Sequence, residues 1–309
     1  MAAAHCFATP VQPERRTFSI VRRGSPHDSL YDLRFLGNTG IAVGDHGVIF
    51  TTQNGGQQWH LLAGVPTKQA LLGAVIVAGH AIVVGQAGTI LTSTNLKTWT
   101  VAVSGTDARL FRVDLAPDGF AVAVGAFGTV LTSVDYGRKW QTLKIDWTKF
   151  NADGYQPNLY DVKVFANGTV LIAGEFSLIL RSTNQGVSWT SIHKGNASIF
   201  GIRILADGTG YAVGQDGFML KTLDAGLTWK ELVVPSHTDL LGVWADARGR
   251  VVVVGLNAFF ESKNGGATWA APTERDVADT WYEGVGAVAI GSTHAVFAVG
   301  EYGMIARVH

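Results

Sequence analysis

Tryptophan recurs along this chain with a period that few folds can satisfy. Trp59, Trp99, Trp140, Trp189, Trp229 and Trp269 are separated by 40, 41, 49, 40 and 40 residues. About 18 residues before the first stands Ile41-Ala-Val-Gly44, and the phrase returns six more times, ending Gly85, Gly125, Gly174, Gly214, Gly255 and Gly300. An internal repeat of this kind means that one structural unit is stacked many times, because a single unit cannot bury its own faces.

Each copy has one internal order. An apolar pair opens it, such as Leu30-Tyr31 or Leu159-Tyr160, and a short β-rich run follows. A Gly, Asn or Asp turn leads to the apolar run ending in Gly. After a tight turn comes an alternating run such as Val130-Leu-Thr-Ser133, then an Asp or Asn turn, the Trp, and a last short strand. Strands of about five residues with tight turns account for a repeat of about 40. No helix-length 3.6-residue pattern interrupts it. Four antiparallel strands at this spacing predict the blade of a β-propeller, here with seven blades. The seventh copy ends without a fourth strand. Phe18-Ser-Ile-Val-Arg-Arg23 resembles the strand after each Trp, so it is expected to complete the last blade and remove an exposed edge. Residues 1–16 are expected to be a flexible segment, and 17–309 one propeller domain.

The turn before Trp has its own chemistry. Ser133-Val-Asp-Tyr-Gly-Arg-Lys-Trp140 has the form Ser-x-Asp-x-Gly-x-x-Trp, Thr222 to Trp229 repeats it, and Asn54, Asn184 and Asn264 replace Asp in three more copies. The Asp or Asn oxygen accepts turn amides, Gly supplies a positive φ, and Trp is expected to bury its ring and donate its indole N–H to a carbonyl. On that reading, Trp140→Ala or Trp229→Ala costs about 3–5 kcal/mol. The copy Ser93-Thr-Asn-Leu-Lys-Thr-Trp99 is one residue short, and a looser turn is expected there. This phrase is the Asp-box, or BNR repeat, found in enzymes and in non-enzymatic propellers; it specifies a blade and no chemistry.

The run Ala42-Val-Gly-Asp-His-Gly-Val-Ile-Phe-Thr-Thr-Gln-Asn-Gly-Gly-Gln-Gln-Trp59 resembles the photosystem II stability and assembly factor propellers, and Ala212 to Trp229 and Val253 to Trp269 follow the same pattern. The resemblance covers Phe18 to His309. It implies a non-enzymatic protein-binding scaffold whose partner is a membrane-complex subunit, and an extracytoplasmic location if a signal has been removed. With Met1 as the native start, the cytoplasm is expected.

Composition narrows the alternatives. The 24 basic and 24 acidic residues cancel, which argues against a nucleic-acid partner. Cys6 is the only cysteine, so neither an internal disulfide nor a thiolate cluster is available. No apolar run is long enough to span a bilayer. No cofactor or metal is expected, nor direct membrane insertion, and the chain is expected to act as a monomer. Hydrolase, nucleotide and zinc motifs are missing from the sequence.

Antiparallel order puts two loop sets on one face: those joining consecutive blades and those after each Val-Gly. The Asp-boxes lie on the opposite face. Candidate binding residues therefore come from the variable face. They are Asp45, His46, Phe127, Glu175, Phe176, Asp216, Glu301 and Tyr302 after the repeated Gly. The starts of the innermost strands add Tyr31, Asp32, Arg112, Tyr160, Asp161, Tyr282 and Glu283, and Arg203 lies further along one of them. The pairs Asp32/Arg34, Arg112/Asp114 and Asp161/Lys163 set opposite charges two residues apart. One repeat carries an insertion between Lys144 and Asn158 with Trp147, Phe150 and Tyr155, aromatics suited to anchoring a partner. Shortening residues 146–157 is expected to spare the fold. The competing function is a glycan-active hydrolase or lyase using carboxylates that share this face, among them Asp45, Glu175 and Asp216.

Overall fold

The computed structural model describes residues 18–151, 153–271 and 280–309. It is a seven-bladed β-propeller of antiparallel sheets. Blade 1 runs outward as Leu30–Leu36, Thr39–Gly44, Ile49–Thr52 and His60–Leu61. Blades 2 to 6 repeat this order from Leu71, Leu110, Leu159, Ile199 and Leu240. Six sheets have four strands; among the described residues the sixth blade has three, with a single bridge from Glu261 to Ala270 beside them. The innermost strands adjoin their neighbours all the way round, enclosing a central channel. The expected flexible segment 1–16 lies outside the described residues.

The ring closes as the strand pattern predicts. Phe18–Arg22 pairs antiparallel with Ile305–Val308 as the outer strand of blade 7. Phe18 sets its ring edge-on to Phe259 of blade 6, and Arg22 lies over the Phe50 ring of blade 1 at 3.9 Å. The first strand therefore touches three blades at once.

The second strand of each blade is buried along its length but for its first one or two residues in blades 1, 2 and 7, which explains its continuous apolar run. Its closing glycine answers to a close approach. A Cβ on Gly44, Gly85, Gly125, Gly174, Gly214, Gly255 or Gly300 would stand 1.9–2.3 Å from the carbonyl oxygen of the residue that leads into the blade's innermost strand. Backbone cannot yield as a side-chain tip can, so the Val-Gly phrase recurs for a steric reason at every blade.

The Asp-boxes tie the opposite face together. Ser133 Oγ accepts from Gly137 N–H at 3.0 Å and donates to Asp135 Oδ1 at 2.9 Å, and that oxygen accepts Lys139 N–H at 2.9 Å. In the five full-length boxes the residue after the Asp or Asn donates to the hairpin turn between the first two strands, as Tyr136 does to the Gly119 carbonyl at 3.0 Å. The short second box is not loose. Leu96 takes the left-handed conformation at φ 59, Ser93 Oγ accepts its N–H at 2.9 Å, and Asn95 Oδ1 accepts both Lys97 and Thr98 N–H at 2.9 Å. Leu96 is buried in the core, so its side chain holds the turn that glycine shapes elsewhere.

The Trp rings depart from expectation in a second respect. They are half-buried, packed onto core clusters at the blade edges, and not enclosed between sheets. Trp59, Trp140 and Trp229 donate to Gly56, Gly137 and Gly226 carbonyls at 3.1, 2.8 and 3.2 Å. Trp99, Trp189 and Trp269 have no such acceptor among the described residues. The area lost on truncation is smaller than for an enclosed ring, and Trp140→Ala is expected to cost about 2 kcal/mol, below the core range. Urea unfolding measures it; a loss above about 4 kcal/mol would restore the enclosed-ring reading.

Candidate functional site: the loop face and central channel

A β-bulge at the second residue of every innermost strand organises the channel. The register slips between Leu30 and Asp32 in blade 1 and at the equivalent place in all seven blades. The bulged residues are Tyr31, Leu72, Phe111, Tyr160, Phe200, Leu241 and Glu283, and together they form the mouth of the channel. Bulges commonly re-aim a side chain in this way. Phe111, Tyr160 and Phe200 make a continuous aromatic row, with centroids 5.4 and 5.1 Å apart. Leu72 and Leu241 belong to this ring, and Arg109 and Gln86 flank it; sequence reading passed over Leu72, Leu241 and Arg109. Tyr282 does not belong to it. It occupies the position of Leu30, fully buried, with its hydroxyl towards Met304 Sδ at 3.5 Å.

One layer below, charge replaces aromatic surface. Arg112 Nη1 stands 3.0 Å from Asp32 Oδ2, and Arg112 Nε stands 3.7 Å from Asp161 Oδ1. This belt crosses the channel from blade 1 to blade 4. The other four blades carry Gly73, Gly201, Gly242 and Gly284 here, where a Cβ would meet the next innermost strand at 2.6–3.1 Å. Burial opposes the Arg112 charge, but Asp32 and Asp161 outweigh it and hold its pKa above the ordinary value. Burial raises Asp161, with Arg112 only partly offsetting it. The carboxylates also satisfy backbone on the channel edge of the innermost strands: Asp32 Oδ2 accepts Ala74 N–H at 2.9 Å, and Asp161 Oδ2 accepts Ile202 N–H at 2.7 Å. Glu283 lies beside this belt at the mouth. Burial pushes its pKa up to about 7, against Arg112 and with help from Asp32.

Below the belt lie Arg34, Asp114, Lys163 and Arg203. Only Asp32 and Arg34 pair within their own strand, at 2.8 Å. Asp114 reaches across to blade 4 instead, where it meets Lys163 Nζ at 2.6 Å and Val164 N–H at 2.7 Å. The charges two residues apart on one strand therefore bond chiefly to neighbouring blades.

On the outer part of the loop face, the turns after Val-Gly share one conformation. His46, Ala87, Phe127, Phe176, Asp216, Asn257 and Tyr302 all have φ between 49 and 60. This region is unusual for any residue but glycine and rarer for bulky ones. It projects Phe127 and Phe176 outward at 74% and 53% exposure. Asp45 and Glu301 precede two of these residues, and Asp45 Oδ1 accepts the Tyr31 hydroxyl at 2.8 Å.

The insertion divides its three aromatics. Trp147 is buried at 6% exposure in the core cluster between blades 3 and 4. Phe150 packs partly behind it, at 6.2 Å between rings. Asp146 caps this turn through the Thr148 N–H and hydroxyl at 3.3 and 2.6 Å. Only Tyr155 remains largely exposed, edge-on to Phe176 at 5.7 Å. Removing residues 146–157 would thus uncover core, which corrects the expectation that shortening spares the fold. Glu175 holds the end of the insertion, accepting the Tyr155 hydroxyl at 3.0 Å and the Asn158 N–H and amide at 2.9 Å each.

The result is a loop face with an exposed aromatic patch (Phe127, Tyr155, Phe176) running into the aromatic mouth of a charged channel. The model of the photosynthesis system II assembly factor YCF48 family matches residues 96–234. YCF48 from Cyanidioschyzon merolae is 18% identical, with 95% of this chain and 98% of that chain covered at a TM-score of 0.73. YCF48 bound to D1 peptide is 16% identical, with 96% of each chain covered at a TM-score of 0.74. The chain is a propeller similar to the photosystem II assembly factors. The same fold extends to the GH74 xyloglucanase from Xanthomonas campestris, 15% identical over 94% of this chain and 53% of that one, with a TM-score of 0.73. No curated protein matches the sequence significantly.

Proposed function

We propose that this propeller is a binding scaffold that docks a segment of a membrane-complex subunit on its loop face. The observation that carries the reading is the exposed patch of Phe127, Tyr155 and Phe176. Two of these rings sit on turns whose backbone would favour glycine or asparagine, and large side chains kept in a strained, exposed place point to a use outside the fold. A similar propeller bound to a D1 peptide supports a peptide partner. The channel mouth continues the patch inward with Tyr160 and Phe200, so an extended segment would find aromatic surface along its path.

The glycan-active alternative needs free carboxylates on this face. Glu175 is engaged with Tyr155 and Asn158, and Asp45 with Tyr31, so both serve loop structure here.

Phe127, Tyr155 and Phe176 lie on a preformed surface, so truncating them tests docking without touching the core. Each change to Ala is expected to leave the thermal midpoint close to wild type. Loss at an anchor position should reach about 2 kcal/mol or more. The measurement is affinity for synthetic peptides spanning the exposed segments of the host's own membrane-complex subunits. A triple variant that binds those peptides at full strength would remove the loop face from consideration.

A further inference from the structure

The lower half of the channel, beneath the Arg112 belt, is a chamber of about 260 Å³. At about 30 Å³ per water it has room for several waters or for a small hydrated ion. Its walls bring together Arg34, Asp114, Lys163 and Arg203. Three of these are committed. Arg34 pairs with Asp32, and Lys163 with Asp114. Both carboxylates are further occupied by backbone N–H groups, Leu33 and Ala74 on Asp32 and Val164 on Asp114. Arg203 alone has neither an ion pair nor a side-chain hydrogen bond among the described residues.

Arg203 is exposed to the channel space, so its guanidinium is open to a ligand there. The desolvating channel walls and then the Arg34 charge lower the Arg203 pKa, with Asp114 opposing them. Arg34 of blade 1 and Arg203 of blade 5 line the same space. Their planar forks suit oxygen pairs on phosphate or carboxylate.

We propose that this chamber is a binding site for a small oxyanion, a phosphate or a carboxylate, held between Arg34 and Arg203. The site is separate from the aromatic loop face and stands whether or not docking occurs there. Arg112 and Glu283 line both the mouth and the chamber, so the belt partitions the two spaces.

Arg203→Gln is a clean probe, because the side chain makes no bond that the fold would lose. Titration calorimetry at fixed ionic strength, with inorganic phosphate as ligand, should show binding to the wild type. Arg203→Gln should weaken it about 10- to 100-fold, the loss of charge-assisted hydrogen bonds. Arg203→Lys should recover part of it, and Lys139→Gln, an exposed charge on the Asp-box face, should leave it unchanged. A parallel arm uses short peptides with free or amidated carboxyl ends. Arg203-dependent binding of the free form alone would identify a chain terminus as the natural source; binding of phosphate alone would identify a free ion. The proposal is overturned if neither probe binds, or if both bind Arg203→Gln as they bind the wild type.

Discussion

Arg112→Met is expected to destabilise this propeller by about 3–5 kcal/mol, the range for removing one partner of a buried ion network. Arg112 is 8% exposed, and the substitution leaves Asp161, at 8% exposure, without its charge partner and Asp32, at 1%, with Arg34 alone. Methionine fills much of the volume, so the loss is electrostatic. Asp161 already stands above its ordinary pKa because of burial, and without Arg112 it would rise further. Urea unfolding at neutral pH gives the magnitude. The triple variant Arg112→Met, Asp32→Asn, Asp161→Asn should recover only part of it: each amide oxygen can still accept the Ala74 or Ile202 N–H, but the Leu33 and Val162 N–H groups lose their acceptors and Arg34 its partner. A single-variant loss below about 1 kcal/mol would show the belt to be hydrated like a surface pair.

Glu283→Gln is expected to change how stability depends on pH. The folded carboxyl is held at about 7 by burial, against an ordinary 4.5 when unfolded. Between these values the folded chain keeps a proton that the unfolded chain has released. Stability from this group is therefore present below about 4.5 and lost as pH rises through about 7. Glutamine removes the titration. The variant should match the wild type at acid pH and exceed it by at most about 3 kcal/mol near pH 8. Unfolding curves across the window decide it. A constant difference at all pH values would mean that Glu283 titrates as an exposed carboxylate.

The sequence disclosed the ring more fully than the site. Blade number, strand order and closure by Phe18–Arg22 follow from periodic positions, because each blade repeats the same burial problem. The inner wall was harder to read. Nothing in the spacing of Tyr282-Glu283 shows a bulge, yet the bulge sends Glu283 to the mouth and leaves Tyr282 in the core. Leu72 and Leu241 resembled core leucines for the same reason. The spacing of charges two residues apart placed them on one strand face without naming their partners; Asp114 and Lys163 meet across blades because adjacent innermost strands converge on the channel. The insertion misled in another way. Three aromatics in a loop read as exposed anchors, whereas Trp147 folds back against Gly128, where even a Cβ would lie 2.7 Å from its indole nitrogen. A single missing residue in the second Asp-box suggested slack that Leu96 takes up.

Closure by the first strand also orders events in time. Ser19 and His309 meet across 290 positions, so the last blade joins the earliest and latest parts of the described chain to leave the ribosome. Blades 1 to 5 can pair their strands locally as they emerge. The strand Phe18–Arg22 must wait with its backbone unpaired until Ile305–Val308 appears. Contacts of such long sequence separation are slow to form, and an unpaired edge held open during that wait is the segment another chain can capture. During synthesis the vulnerable part of this ring is therefore Phe18–Arg22, which stays open until Ile305–Val308 arrives.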